Sequence, residues 1–283
     1  MSRDSDAVYE RRVVAFLDIL GFRSLIQATE TDIALRKKIH SQLLDLSKKS
    51  ENKFLGIEVR TRQEDRTQTT GVPWSVAVER LAKGESAQLK TKYAEDLMEA
   101  TVFSDSIVLS AVLDPEHPGT VFGVMNLGTV CARLSKEMLS NGYPIRGGIA
   151  YGDLYHDGQV VFGPALVEAY DLEHLHAVNP RIIFSKKAAG LFRFAAQRPA
   201  VDADGWEYLD IFGGSTVKEL NRLREQTVEA FRHRSDERIR SKWLWLQRKL
   251  DSELDPVKDG APGNAQRGRM RGILRAIGRW LHG

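Results

Sequence analysis

The stretch VVAFLDILGFRSLI, residues 13–26, constrains the fold more than any other. It is apolar and valine-rich, and residues 12–18 read as a short buried strand inside a layered domain. The strand ends on a carboxylate, Asp18, and Gly21 follows three residues later, ahead of an amphipathic stretch. Read alone, Asp18 is a turn former or a helix N-cap. Its neighbours allow a second reading. Gly21 lets backbone approach a phosphate, and the N–H groups at a helix start favour anions. The segment then holds a metal ion on its carboxylate and polyphosphate on its turn.

The remaining pattern alternates helices and strands. Residues 22–30 and 33–49 read as helices and 53–61 as a strand, followed by a loop-rich insertion over about 62–90. LMEATVF (97–103) and SIVLSAV (106–112) are strand-like, and only Ser104 and Asp105 separate them. They predict a hairpin with Asp105 at its tip. A helix over 120–140 ends at Asn141-Gly142. Strands follow over 143–155 and 159–163, then a helix over 164–176 with Pro164 in its first turn. Strands over 181–185 and 206–212 complete the set. This order predicts an α+β fold, a ferredoxin-like or palm-type, mostly antiparallel sheet with helices packed on it. It occupies residues 1–214. A charge-dense helical extension covers 215–254, with Trp243, Leu246 and Leu250 on its apolar stripe. A linker and a basic amphipathic tail cover 255–283.

Composition narrows the partners. Five arginines and no acid lie in residues 264–283, so of the net charge of +3 the tail contributes +5 and the rest −2. That body argues against nucleic-acid binding across the domain. In the tail, Ile273, Ile277, Trp280 and Leu281 share one helical face; it reads first as a helix packed on the protein's own dimer or a partly disordered end, and second as a contact with an acidic membrane. No run of 18 apolar residues occurs, and the first residues lack the apolar core of a signal peptide. With a single cysteine, Cys131, the chain predicts a cytoplasmic protein without disulfides.

The two aspartates stand at comparable places. If the strands over 12–18 and 97–112 are neighbours, Asp18 and Asp105 meet at one sheet edge, and their repulsion is resolved by a divalent cation. The plainer readings are that Asp105 forms a turn, that Gly147, Gly148 and Gly152 are bulges, that Arg146 pairs with an acid on the strand face, and that Asp171 and Glu173 lie on a helix surface.

Taken together, VVAFLDILGFRSLI, VFSDSIVLSA, IRGGIAYGDLY and VFGPALVEAYDLE resemble the successive blocks of class III nucleotidyl cyclases, in order, over about residues 12–212. The resemblance implies that Asp18 and Asp105 bind two Mn²⁺ or Mg²⁺ ions per site, aided by the Ile19 carbonyl. It implies that Leu20, Gly21 and Phe22 cradle phosphates, with Arg146 as a further phosphate contact, and that a homodimer shares its active sites across the interface. The purine-reading lysine and aspartate of that family are replaced by Thr101 and Val160. Its transition-state asparagine and arginine are replaced by Val167 and Asp171. LDILGF and GPALVEAYDLE are similar to the pyrimidine cyclases of bacterial anti-phage signalling, the Pycsar type. These convert UTP or CTP to a cyclic monophosphate that a separate effector protein reads. The expectation is a cyclase of UTP ahead of CTP, with Thr101, Phe103, Val160 and Phe162 lining a narrow base pocket. Arg23, Arg146 or a C-terminal basic residue of the partner then meets the developing charge. The alternatives are a catalytically silent nucleotide-binding scaffold dimer, a purine cyclase with atypical base recognition, or a polymerase-like palm domain.

Overall fold

The computed structural model describes residues 8–22, 98–114, 120–157, 160–193, 198–232 and 236–255, with residues 26, 27, 29–34, 36, 37, 40 and 41 besides. The strand expected over 53–61, the insertion over 62–90, the basic tail and Arg23 lie outside the described residues. Of the two helices expected over 22–49, the described positions 22, 26, 27, 33, 34, 36, 37, 40 and 41 are helical.

Strand β1 (Glu10–Ile19) has neighbours on both sides. On one side the hairpin of β2 (Met98–Phe103) and β3 (Ser106–Val112) pairs with it antiparallel; on the other lies β4 (Ile145–His156), also antiparallel. Helix α1 (Thr120–Ser140) connects β3 to β4. The short β5 (Val161–Phe162) folds back on the end of β4, and helix α2 (Pro164–Asp171) follows, running into a π-helical turn over Leu172–His176. Strand β6 (Ile182–Phe184) pairs parallel with β4. Helix α3 (Lys186–Phe192) and the hairpin of β7 (Pro199–Val201) and β8 (Glu207–Leu209) come next. Helices α4 (Val217–Arg232) and α5 (Glu237–Leu254) complete the described chain.

The result is an α+β fold on an eight-stranded, mostly antiparallel mixed sheet of order β2-β3-β1-β4-β6-β8-β7, as the element order predicts. Helix α1 and β3 match the expected bounds. Two elements escaped the pattern: α3 and β7, at seven and three residues, are too short to show a period.

Alternation along β1 sorts its side chains. Val13, Ala15, Leu17 and Ile19 enter the larger core with Leu127 and Cys131 of α1. Trp243, Leu246 and Leu250 of α5 join that same core, so the helical extension and the sheet bury their apolar faces together. Cys131 is fully buried there, its thiol pushed up to about 12 by burial. The opposite face carries Val14, Val108, Ala150 and Leu154 beneath Ala165 and Ala169 of α2. Asp18 has the parity of Val14 and Phe16, which puts it on the α2 face at the strand's end.

Two details fix α2. Gly148 lies so close beneath it that a Cβ there would stand 2.2 Å from the Ala169 carbonyl oxygen. Gly163 precedes the helix at φ 141°, a backbone that side-chain-bearing residues rarely adopt. Helix α5 is fixed through Arg181. Its buried guanidinium pairs with Asp202 and Asp204, and Asp202 also accepts from Trp245 Nε1 at 2.8 Å and meets Lys249 Nζ at 3.2 Å.

Candidate active site

Register brings the two aspartates together. Asp18 is opposite Ser106 on β3, and the Ile19 N–H donates to the Asp105 carbonyl at 3.1 Å. The β2–β3 turn is thus tied directly to the end of β1. It is made without glycine: Ser104 takes φ 57°, a left-handed conformation that costs about 1 kcal/mol in a residue with a side chain. Asp18 is held above the ordinary carboxylate range. Burial is the main cause, and the Asp105 charge adds to it, against the opposing pull of Arg146 and Lys242.

On the other side of β1, Arg146 is the register partner of Asp18. Its Nε–H donates to Asp18 Oδ2 at 3.1 Å, so the strand-face pairing is the contact made. The same Nε lies 2.5 Å from Glu173 Oε1. An arginine Nε carries one hydrogen, and here it points to Asp18. Glu173 Oε1 therefore has the charge contact without a hydrogen bond, and it is buried and otherwise unpartnered.

Glu173 corrects the sequence reading. A helix-surface acid was expected, yet its side chain is only 4% exposed. Burial foremost pushes its carboxyl up, and the Asp18 and Asp105 charges push the same way. The signal was present in the sequence: Ala165, Ala169 and Glu173 recur every four residues, which sets them on one buried helical stripe. Lys242 of α5 carried no such signal. It is half-buried, and its ammonium is held below the usual lysine range by burial and by Arg146, within the fields of Asp18 and Glu173. Only the path of α5 brings it there. Asp18 and Glu173 face Arg146 and lie in the field of Lys242, and the Asp105 charge bears on both acids.

The phosphate turn needs correction in part. The Ile19 and Leu20 N–H groups are spent on the carbonyls of Asp105 and Pro144, the latter at 2.9 Å. Phe22 packs in the larger core instead of facing a ligand. Gly21 stays exposed at φ 80° with open space beside its Cα, so its backbone shape alone calls for glycine.

The expected base pocket is open. Thr101 Oγ1 lies 2.9 Å from His156 Nε2, and His156 Nδ1 lies 2.8 Å from Ser110 Oγ, to which Arg12 donates. Val160 and Phe162 flank Val161, the register partner of His156, and Phe162 stacks on Tyr155. Phe103 stands nearer the hairpin turn at 79% exposure. Thr101 is half-buried against His156 on the α2 face, whereas Phe162 stacks on Tyr155, whose parity puts it on the opposite face, so the structure does not bring the expected pocket residues together. Two hollows in the described protein lie elsewhere, one of about 250 Å³ between α1 and α4 and one of about 10 Å³ beneath α5.

Comparison with known proteins adds no assignment. No protein-family model matches the chain, and no curated protein is significantly similar to it.

The donor set suits a hard divalent cation. One carboxylate ends β1 and the other stands in the adjoining β2–β3 turn, the charge of Asp105 bears on Asp18, and the edge is partly open to water. Among the described residues no group of three or more His, Cys, Asp or Glu side chains converges as a ligand set. Two carboxylates, with phosphate oxygens and water as further ligands, is the arrangement Mg²⁺ favours. Arg146 now occupies one of the two acids, and an incoming cation must share or displace it.

Proposed function

We propose that this protein is a metal-dependent nucleotidyl cyclase of the class III type, which converts a pyrimidine ribonucleoside triphosphate, UTP ahead of CTP, to its 3′,5′-cyclic monophosphate and pyrophosphate. One observation carries the reading: Asp18 at the end of β1 and Asp105 in the β2–β3 turn adjoin at one sheet edge, although they stand 87 positions apart in the chain. The pyrimidine preference rests on Thr101 and Val160, which stand where purine readers would.

In the reaction the ribose 3′-oxygen attacks the α-phosphorus, the bond to the bridging α–β oxygen breaks, and pyrophosphate leaves as the 3′-hydroxyl gives up its proton. Asp18 and Asp105 would hold Mn²⁺ or Mg²⁺. When bound, such ions lower the pKa of the 3′-hydroxyl and neutralise charge on the triphosphate. Arg146 and Lys242 supply fixed positive charge beside that edge, where negative charge grows on the leaving group. The side chains proposed for the base, Phe103, Val160 and Phe162, are exposed on this protomer. A second copy of the chain would complete the base pocket, which makes the active form a homodimer. The product then acts as a second messenger for a separate effector in anti-phage defence.

A second reading has its own observation. Val167, well exposed on α2, and Asp171 stand where the family keeps its transition-state asparagine and arginine. A nucleotide-binding scaffold without turnover has that same composition. Purified protein with Mn²⁺ and each of the four ribonucleoside triphosphates separates the two. Cyclic UMP or cyclic CMP, lost in Asp18→Ala and Asp105→Ala, supports the cyclase. Nucleotide binding without product from any triphosphate refutes it in favour of the scaffold.

A further inference from the structure

We infer that Glu173 is a second berth for Arg146: the arginine is shared so that a cation can take Asp18 while Arg146 stays tethered at the site, facing the phosphate chain. The inference rests on the cyclase reading of this edge and deepens it.

The geometry of the pair is asymmetric. Arg146 Nε is 3.1 Å from Asp18 Oδ2 with its hydrogen on that bond, and 2.5 Å from Glu173 Oε1 without one. Asp18 is the more exposed of the two acids, at 19% against 4% for Glu173. Ligand exchange therefore reaches Asp18 and not Glu173. A buried carboxylate oxygen without a hydrogen bond is costly, and a small turn of the guanidinium toward Glu173 relieves that cost. Leaving Asp18 thus gains Arg146 a hydrogen bond that the present arrangement lacks. The planar, permanently charged guanidinium suits this exchange, since it can keep one carboxylate while presenting its remaining N–H donors to phosphate.

Glu173 is well placed to be the fixed member. It sits in the π-helical turn that continues α2, and α2 is pressed onto β4 at Gly148, two residues from Arg146 on the same face. Acting through Arg146, Glu173 is a positioning residue.

The test is a double-mutant cycle on Mn²⁺ affinity without nucleotide, read by calorimetry or by the electron-spin signal of free Mn²⁺. Arg146→Gln removes the competitor for Asp18 and tightens Mn²⁺ by about tenfold, the scale of one close charge. Glu173→Gln leaves Arg146 wholly on Asp18 and weakens Mn²⁺ by about tenfold. In the Arg146→Gln background, Glu173→Gln changes affinity by less than about twofold, because the residue it acts through is gone. An equal weakening in both backgrounds means that Glu173 acts by its own charge, and the inference fails while the cyclase reading stands. Wild-type protein that binds no Mn²⁺ overturns both. A measurement without substitutions covers loss of folding. In wild-type protein titrated with Mg²⁺, the Arg146 Nε–H resonance shifts yet stays protected from solvent exchange. An Nε–H that exchanges freely at saturation refutes the tether.

Discussion

Gly148→Ala tests how the site is positioned. The added Cβ would lie 2.2 Å from the Ala169 carbonyl oxygen and 2.7 Å from Leu172 Cβ. To restore an ordinary contact the end of α2 must retreat from β4 by about 1 Å, an overpacking that costs about 1–3 kcal/mol. At about 2–4 °C per kcal/mol for a chain of this size, the melting temperature falls by roughly 5 °C. Glu173 follows Ala169 by one turn and moves with it, so its contact with Arg146 opens. A displacement of about 1 Å in a positioning group can cost about 100-fold in turnover. The control is Gly152→Ala, on the same face of β4. Its Cβ would meet Ala165 Cβ at 3.5 Å, an ordinary contact, and replacing a strand glycine there is neutral within about 1 kcal/mol. Scanning calorimetry gives the stability, and cyclic nucleotide release gives the activity. Equal melting temperatures for the two variants would refute the close-packing argument. A destabilised Gly148→Ala with full activity would refute the link from α2 to the site.

Two further predictions concern stability. His156 is pushed down to about 4, first by burial and then by the Arg12 charge. The folded protein then binds fewer protons than the unfolded chain below pH 6.5. The stability this neutral imidazole contributes is present above pH 6.5 and is lost as pH falls toward 4, about 3 kcal/mol in all. Urea unfolding of wild type and His156→Gln should therefore converge between pH 6.5 and 4, whereas parallel curves would contradict the buried neutral ring. Arg181→Met leaves Asp202 and Asp204 without their buried partner and should cost about 3 kcal/mol, read as a lower urea midpoint. Because the same cluster holds Trp245 and Lys249, turnover should fall too. An unchanged midpoint would mean that α5 is anchored elsewhere.

The layered α+β plan was legible because its signals are local. A valine-rich run, a pair of strand-like segments two residues apart, and a helix closed by Asn141-Gly142 each declare themselves within a few residues. Asp18 and Asp105 were legible for the same reason, since each marks the end of a recognisable element. The turn at Gly21 shows where local reading stops. Its composition suits a phosphate cradle, but the N–H groups of Ile19 and Leu20 are used by Asp105 and Pro144, residues distant in the chain. Hydrogen bonds made by register leave no local trace. Glu173 is intermediate: its four-residue spacing from Ala169 marked the buried stripe, while its charge argued for the surface.

By itself the sequence determined the element types, their order, and which carboxylates end a strand or a hairpin, because propensity and periodicity act over a turn or two of chain. Only the tertiary structure decided that β1 lies between β3 and β4, that Arg146 stands across from Asp18, and that α5 returns to bring Lys242 to the same edge. Those placements come from burying two faces of one sheet, a choice made among whole packings. The charges at the site, and the pull of each on the others, follow from that choice.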